Sequence, residues 1–303
     1  MNTIELINVT KTFGPHTAVD NLSLSVTEGS VYGFIGPNGS GKTTTLRMIM
    51  NILIPDSGEI RVFGAPLNQS SSNQIGYMPE ERGLYKRMKV REVLLFFGGL
   101  KSQNNLQTRV DDWLERLDLT AWANQKVEAL SKGMSQKVQF IATVVSQPQL
   151  VILDEPFTGL DPLNTDAIKD AILELQKNGA TVIFSTHDMN MAERMCDFIF
   201  MIFRGKKVLD GTLESIQDVY ANDTIRIRSG DGVPVFQQID GIEKINDFGQ
   251  FQELRIADDA DPQKIIQNIL QRTKISGFDI VKPSLHDIFV RIASPQKQEQ
   301  NHA

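Results

Sequence analysis

The chain has 303 residues, 41% hydrophobic and 22% charged, an ordinary globular balance with room for one large domain and a smaller one. Its net charge of −6 argues against broad binding to nucleic acid or anionic lipid, and apolar runs such as 198–203 fall far short of a bilayer span. The single cysteine, Cys196, excludes an internal disulfide and fits a reducing compartment as a buried, inert thiol. Polar Asn2 and Thr3 lead straight into strand-like alternation, so no leader peptide is expected.

Residues 4–9 alternate and read as an edge strand, and 22–26 read as a second one. Between them Phe13 sits on a short loop, where an aromatic face can stack on a base, although by itself a plain core or surface role is the better reading. An apolar run, 31–35, then meets Gly36-Pro37-Asn38-Gly39-Ser40-Gly41-Lys42-Thr43, followed by Thr44 and a helical pattern to Met50. This is the P-loop pattern. Its glycines let successive amide N–H groups curl round a phosphate, and the helix starting near Lys42 adds its positive end. Lys42 reaches the β- and γ-phosphates in such a loop, while the Thr43 hydroxyl ligates Mg²⁺.

After a turn at 54–58, residues 58–63 return as a strand and 68–74 form a polar loop. A strand from Ile75 then stops at Pro79 and exposes Glu80. Residues 90–130 carry apolar residues at helical spacing, including Val93, Leu94, Phe97 and then Val110, Trp113, Leu114, and form a helical subdomain over about 88–145. Ser131 is placed to cap a long helix running to about Val145, a second helix start that presents bare amides.

Residues 150–153 are a buried parallel strand that ends in Asp154 and Glu155, at the sheet edge where open α/β folds bind ligands. Asp154 suits a hold on Mg²⁺, and Glu155 stands where it can polarise a water attacking the γ-phosphate. Gly159-Leu160-Asp161-Pro162 opens an amphipathic helix to about Gln176. A second buried strand, 180–185, leads to His187 at the same edge, a candidate γ-phosphate contact. Strands at 198–203 and 207–210 complete the sheet, and a short helix starts at Thr212. From Asp223 the pattern is strand, short helix, two strands around 247–249, helix, strand, helix: a small α/β sandwich with no catalytic constellation. His286 and His302 read as surface residues, and the polar tail 294–303 as disordered.

Taken together, these motifs resemble the ATP-binding subunit of an ABC transporter. Gly36–Thr43 matches Walker A, 130–136 the signature, 150–155 Walker B, 159–162 the D-loop, His187 the switch histidine and Phe13 the adenine-stacking aromatic. The stretch 76–85 and the ending 283–289 further resemble the bacterial sodium and drug export branch, NatA- and DrrA-like. The resemblance implies an ABC-type P-loop α/β domain over 1–220, with an antiparallel β subdomain and the helical subdomain, then an accessory or regulatory α/β domain over 221–293. It implies ATP and Mg²⁺ as cofactors, with Thr43, Asp154 and Glu80 on the metal and Glu155, His187 and Lys42 in hydrolysis. Ser131, Gly133 and Asp161 are implied to meet nucleotide across a homodimer, or across a pair with another ATPase subunit. An integral-membrane permease then completes an exporter of sodium, drug or other cargo, holding the chain at the cytoplasmic face of a bacterial membrane, with no nucleic acid involved.

Two positions depart from the family form: Glu80 stands where a glutamine is usual, and the signature reads Ser-Lys-Gly-Met in place of Ser-Gly-Gly-Gln. The alternative reading, a soluble ABC ATPase acting on ribosomes or DNA, lacks the tandem ATPase domains or coiled-coil insertion typical of such proteins. A pseudo-enzyme is disfavoured by intact Lys42, Asp154, Glu155 and His187.

Overall fold

A computed structural model describes residues 1–66, 69–81, 83–101, 104–220, 224–229, 233–257 and 260–293, with backbone alone at 69–70 and 233–234. Residues 67–68, Arg82, Asp223, the tail 294–303 and His302 lie outside the described residues. The chain divides into two compact units, Met1–Thr212 and Leu213–Ala303.

The first unit opens with a hairpin of β1 (Asn2–Phe13) and β2 (His16–Thr27), then β3 (Val31–Ile35) and α1 (Lys42–Ile49). β4 (Ser57–Val62), β5 (Ala65–Pro66), the one-turn α2 (Gln69–Ser72) and β6 (Ile75–Met78) follow. Next come α3 (Val90–Gly99), α4 (Leu106–Arg116) and α5 (Lys132–Val144), which form the helical part. β7 (Leu150–Asp154), α6 (Pro162–Lys177), β8 (Thr181–Thr186), α7 (Met189–Met195), β9 (Phe198–Phe203) and β10 (Lys206–Gly211) close the unit.

Among the described residues these strands make an antiparallel sheet, β2-β1-β4-β5, and a mixed one, β10-β9-β3-β8-β7-β6, parallel except at β10. β1 is therefore central and not the expected edge strand, because β4 pairs Ile60 and Val62 against Leu6 and Ile4 on its far side. Alternation reports that one face is buried; it does not report how many neighbours a strand has. Part of the expected polar loop 68–74 is helical, over Gln69–Ser72.

β3, β7 and β8 are buried along their whole length, which is why each is built around an apolar stretch and does not alternate. One apolar cluster, including Ile4, Phe34, Leu46 and Phe200, joins the faces of both sheets to α1. The other joins the opposite face of the mixed sheet to the helical part through Val93, Trp113, Phe140, Leu153 and Phe184. Parallel register sets Ile35 beside Thr186 and Asp154 beside Ser185, so the ends of three strands form one platform.

The second unit begins with α8 (Leu213–Val219) and continues through β11 (Thr224–Ser229), a 3-10 segment (Val233–Gln238), β12 (Ile242–Asp247) and β13 (Gln252–Ile256). It ends with α9 (Pro262–Arg272), β14 (Ile275–Ile280) and α10 (Leu285–Ala293). The antiparallel sheet order is β12-β13-β11-β14, and Ile225, Ile227, Leu254, Ile265 and Ile269 fill its core. The unit starts at Leu213 and not at 221, because α8 is tied to residues far along the chain. Asp218 binds Lys282 at 2.5 Å, and Gln217 Nε2 donates to the Pro283 carbonyl at 2.9 Å.

β6 runs close beneath α5. A Cβ on Gly76 would lie 2.6 Å from the Thr143 carbonyl oxygen, so only glycine allows this approach. Gly76→Ala is expected to destabilise the chain by about 1–3 kcal/mol through overpacking, read from chemical denaturation. A wild-type midpoint would contradict the close packing.

Candidate active site

The turn after β3 is shaped by glycines that no other residue could replace. Gly36 (φ +151°) and Gly41 (φ +112°) lie outside the range that L side chains favour. A Cβ on Gly36 would stand 2.3 Å from the Ile202 carbonyl oxygen, and one on Gly41 would stand 2.5 Å from that of Ala18. The loop is thus pressed against β9 and β2 while its amides curl inward, and α1 begins at Lys42. Lys42 folds over the loop and donates from Nζ to the carbonyls of Gly36 at 2.7 Å and Pro37 at 3.2 Å. Burial pushes the Lys42 pKa down, and the nearby Glu155, Asp154 and Glu80 carboxylates offset part of that effect. Ser40 Oγ is buried with no hydrogen-bond partner, as a loop shaped to wrap an anion would leave it.

At the next strand ends, Asp154 is 1% exposed and its Oδ1 accepts two hydroxyls: Ser185 at 2.5 Å and Thr43 at 3.3 Å. Ser185 Oγ also accepts the Glu155 N–H at 3.0 Å. Glu155 itself has φ +51°, strained for a side chain of its size, and this turns its carboxylate away from the strand. The carboxylate accepts from Thr158 Oγ1 at 3.1 Å and lies 3.1 Å from His187 Nδ1, which is hydrogen-bonded to both oxygens.

Phe13, Asn38, Gly39, Gly41, Lys42, Thr43, Thr44, Glu80 and Glu155 line one open cleft of about 410 Å³, together with His16 and Ala18 of β2. Phe13 closes the β1 hairpin opposite His16, at a strand end and not on a free loop, and remains 48% exposed. Asp56 holds that strand end: it accepts from Lys11 Nζ at 2.8 Å and from Thr12 N and Oγ1 at 2.7 Å each. These bonds, the Lys11 one foremost, lower the Asp56 pKa from 3.8 to about 2. The tie is therefore complete above 3.8 and lost as pH falls through 2.

Ser131, Gly133 and Asp161 do not line this cleft. Ser131 caps α5, accepting the Met134 N–H at 3.2 Å, and Asp161 caps α6, accepting from Asn164 N at 2.9 Å and Nδ2 at 2.5 Å. The two caps share one surface, since a Cβ on Gly133 would stand 2.8 Å from Asn164 Nδ2. Sequence reasoning missed Ser185, Thr158 and Asp56. A polar pair ending an apolar strand, Ser185-Thr186, was the available signal for the first. Cys196 lies with its sulfur against Gly33, and burial pushes its thiol pKa up, as an inert thiol requires.

The residues present suit magnesium. Thr43 Oγ1 and Asp154 Oδ1 offer hard oxygen ligands 3.3 Å apart, with the Glu80 carboxylate on the same cleft. Among the described residues no three His, Cys, Asp or Glu side chains converge as a protein cage. Such a sparse oxygen set fits a cation that keeps waters and takes phosphate oxygens.

The fold and cleft define a P-loop ATPase of the ABC class. The chain matches the ABC transporter family over residues 19–158 and the C-terminal domain of DrrA1-3-like ATP-binding proteins over residues 211–293. It is 41% identical over 285 residues to the ABC transporter ATP-binding protein YhaQ of Bacillus subtilis (strain 168), spanning 93% of this chain and 96% of that protein. It is 31% identical to the Nod factor export ATP-binding protein I of Rhizobium sp. (strain N33), over 98% of both chains. A solved ATP-binding subunit of an ABC transporter superposes with a TM-score of 0.68 at 29% identity, covering 72% of this chain and 93% of that one. The chain therefore belongs to the ATP-binding subunits of ABC transporters, enzymes whose ATP hydrolysis drives transport.

Ser185→Ala removes the hydroxyl that serves Asp154 and the Glu155 amide together. Turnover of ATP is expected to fall by about tenfold or more, with ATP binding less affected; unchanged turnover would contradict the network. Asp56→Ala should weaken ATP binding severalfold by releasing Phe13, as titration with a fluorescent ATP analogue would show. An unchanged affinity would separate Phe13 from the nucleotide.

Proposed function

We propose that two copies of this chain sandwich two ATP molecules and drive export through a separate membrane permease. The observation that carries this reading is the separation of the motifs. The phosphate loop, Phe13, Glu80 and Glu155 line one cleft, with Asp154 bonded to Thr43 and His187 to Glu155, while Ser131, Gly133 and Asp161 share another surface of the same chain. A two-fold pairing places the second surface over the first cleft of the partner, twice.

Each residue then has a role. Lys42 leaves its loop carbonyls for the β- and γ-phosphates, the P-loop amides wrap them, and Phe13 stacks on the adenine. Thr43 and Asp154 would hold Mg²⁺, with Glu80 lining the same cleft as Thr43, and the ion would supply charge neutralisation on the phosphate oxygens. Glu155 orients and polarises the attacking water, and His187, hydrogen-bonded to that carboxylate, meets the γ-phosphate. Ser131, with the backbone at Gly133, closes the site from the other copy, and Asp161 braces that surface. Loss of the γ-phosphate after hydrolysis weakens the shared contact and lets the pair open.

The permease contact falls beyond Glu80. An apolar groove of about 180 Å³ lies there, lined by Leu84, Phe97 and Leu100, with Tyr85 packed on Phe96 and Phe97 at its rim. No helix among the described residues is long and apolar enough to cross a membrane, which suits a subunit held at the cytoplasmic face by its partner. Export, and not uptake, is supported by the Nod factor export relative and the DrrA-like domain. The second unit serves as an accessory or regulatory element in this reading.

Glu155→Gln is expected to abolish hydrolysis and to trap a dimer with ATP, measured by sedimentation velocity. A variant that binds ATP and remains monomeric would overturn the sandwich.

A further inference from the structure

Two charged side chains find no partner within their own chain among the described residues. Glu80 lines the ATP cleft beside Lys42, Thr43 and Glu155, and no described residue gives its carboxylate a hydrogen bond or ion pair. Lys42 is the cation that Asp154, Glu155 and Glu80 all act on, before any phosphate adds its own negative charge. A carboxylate there adds a repulsion of the phosphates beyond the charge that Mg²⁺ held by Thr43 and Asp154 would neutralise, and a further cation would relieve it.

The second charge is Lys132. It is the first residue of the 13-residue helix α5, at the helix's positive end, where an ammonium is destabilising, and no acidic residue stands in that first turn. The described residues give it neither a hydrogen bond nor an ion pair. Its stem is laid across the turn that follows Glu155: a Cβ on Gly159 would stand 2.0 Å from Lys132 Nζ and 2.5 Å from Cε. The ammonium lies on the surface that carries Ser131 and Gly133, and it does not line the cleft of its own chain.

Resting on the sandwich reading, we propose that Lys132 pairs with Glu80 of the partner subunit when the two copies close on ATP. The two departures from the family form then answer each other. Each cleft with its added negative charge receives an added positive one in trans, and the two-fold axis repeats the pair at both sites. The same pair selects for a second copy of this chain. A partner with neutral residues at these positions would leave one buried carboxylate and one buried ammonium unanswered at each site it fails to complete.

The test uses the full-length Glu155→Gln chain, with the ATP concentration for half-dimerisation read by sedimentation velocity. Lys132→Gly should raise that concentration by about tenfold where Glu80 is present, and by less than about twofold in a Glu80→Gln chain. Lys132→Arg should match the parent, which separates loss of charge from loss of fold. An equal effect of Lys132→Gly in both backgrounds, or no effect in either, overturns the pairing while leaving the sandwich standing. A parent Glu155→Gln chain that binds ATP yet never dimerises overturns the sandwich, and the pairing with it.

Discussion

A carboxylate buried to 1% exposure, Asp154, organises the catalytic end of this molecule. A charge so far from water is tolerated only where hydroxyls or amides satisfy it. Here Ser185 and Thr43 both donate to the same oxygen, so the ends of β7 and β8 and the first turn of α1 are drawn together around one atom. The P-loop cannot shift without breaking the Thr43 contact, and β8 cannot slip in register without losing Ser185. Glu155, one residue on, inherits its position from the same centre, because its amide is held by the Ser185 oxygen that serves Asp154. Its left-handed backbone then turns the carboxylate outward to Thr158 and His187. Two buried carboxylates with different partners, Asp154 at 1% exposure and Glu155 at 7%, thus come from adjacent residues.

In the proposed sandwich a single chain holds an incomplete site, and the same economy accounts for it. Ser131 and Asp161 spend their side chains locally, capping α5 and α6, and Asn164 locks the two helix starts together through its contact with Gly133. Asp161 follows Glu155 by six residues, so this surface and that carboxylate are near neighbours in the chain. On the other side, Gln139 of α5 donates to the carbonyls of Pro79 at 2.8 Å and Glu81 at 3.3 Å, tying the segment that bears Glu80 to the helical part. The segment that bears Glu80 and helix α5 are thus joined within one unit.

The phosphate loop and the carboxylate pair were legible in the sequence because backbone chemistry demands fixed residue types at fixed spacing. No other residue than glycine suits Gly36 or Gly41, and four apolar residues before Asp154 announce a strand buried on both faces. Phe13, Lys42, Thr43, Glu80 and Glu155 were predicted to converge and do share one cleft. What escaped was whatever depends on partners distant in the chain. The central place of β1 follows from β4, some fifty residues later, and periodicity carries no trace of it. Ser185 looks like any strand-end hydroxyl until Asp154 is beside it. Helix α8 reads as the end of the first unit, and only Lys282 and Pro283 show that it belongs to the second.

The central claim is that one chain carries half of each ATP site. The most direct measurement is the specific ATPase activity of the full-length protein as a function of its own concentration, at saturating ATP and Mg²⁺. Activity per chain should rise with protein concentration and level off once pairs are complete, as expected for a site assembled from two copies. Specific activity that stays constant on dilution to concentrations where sedimentation shows only monomer would contradict the account.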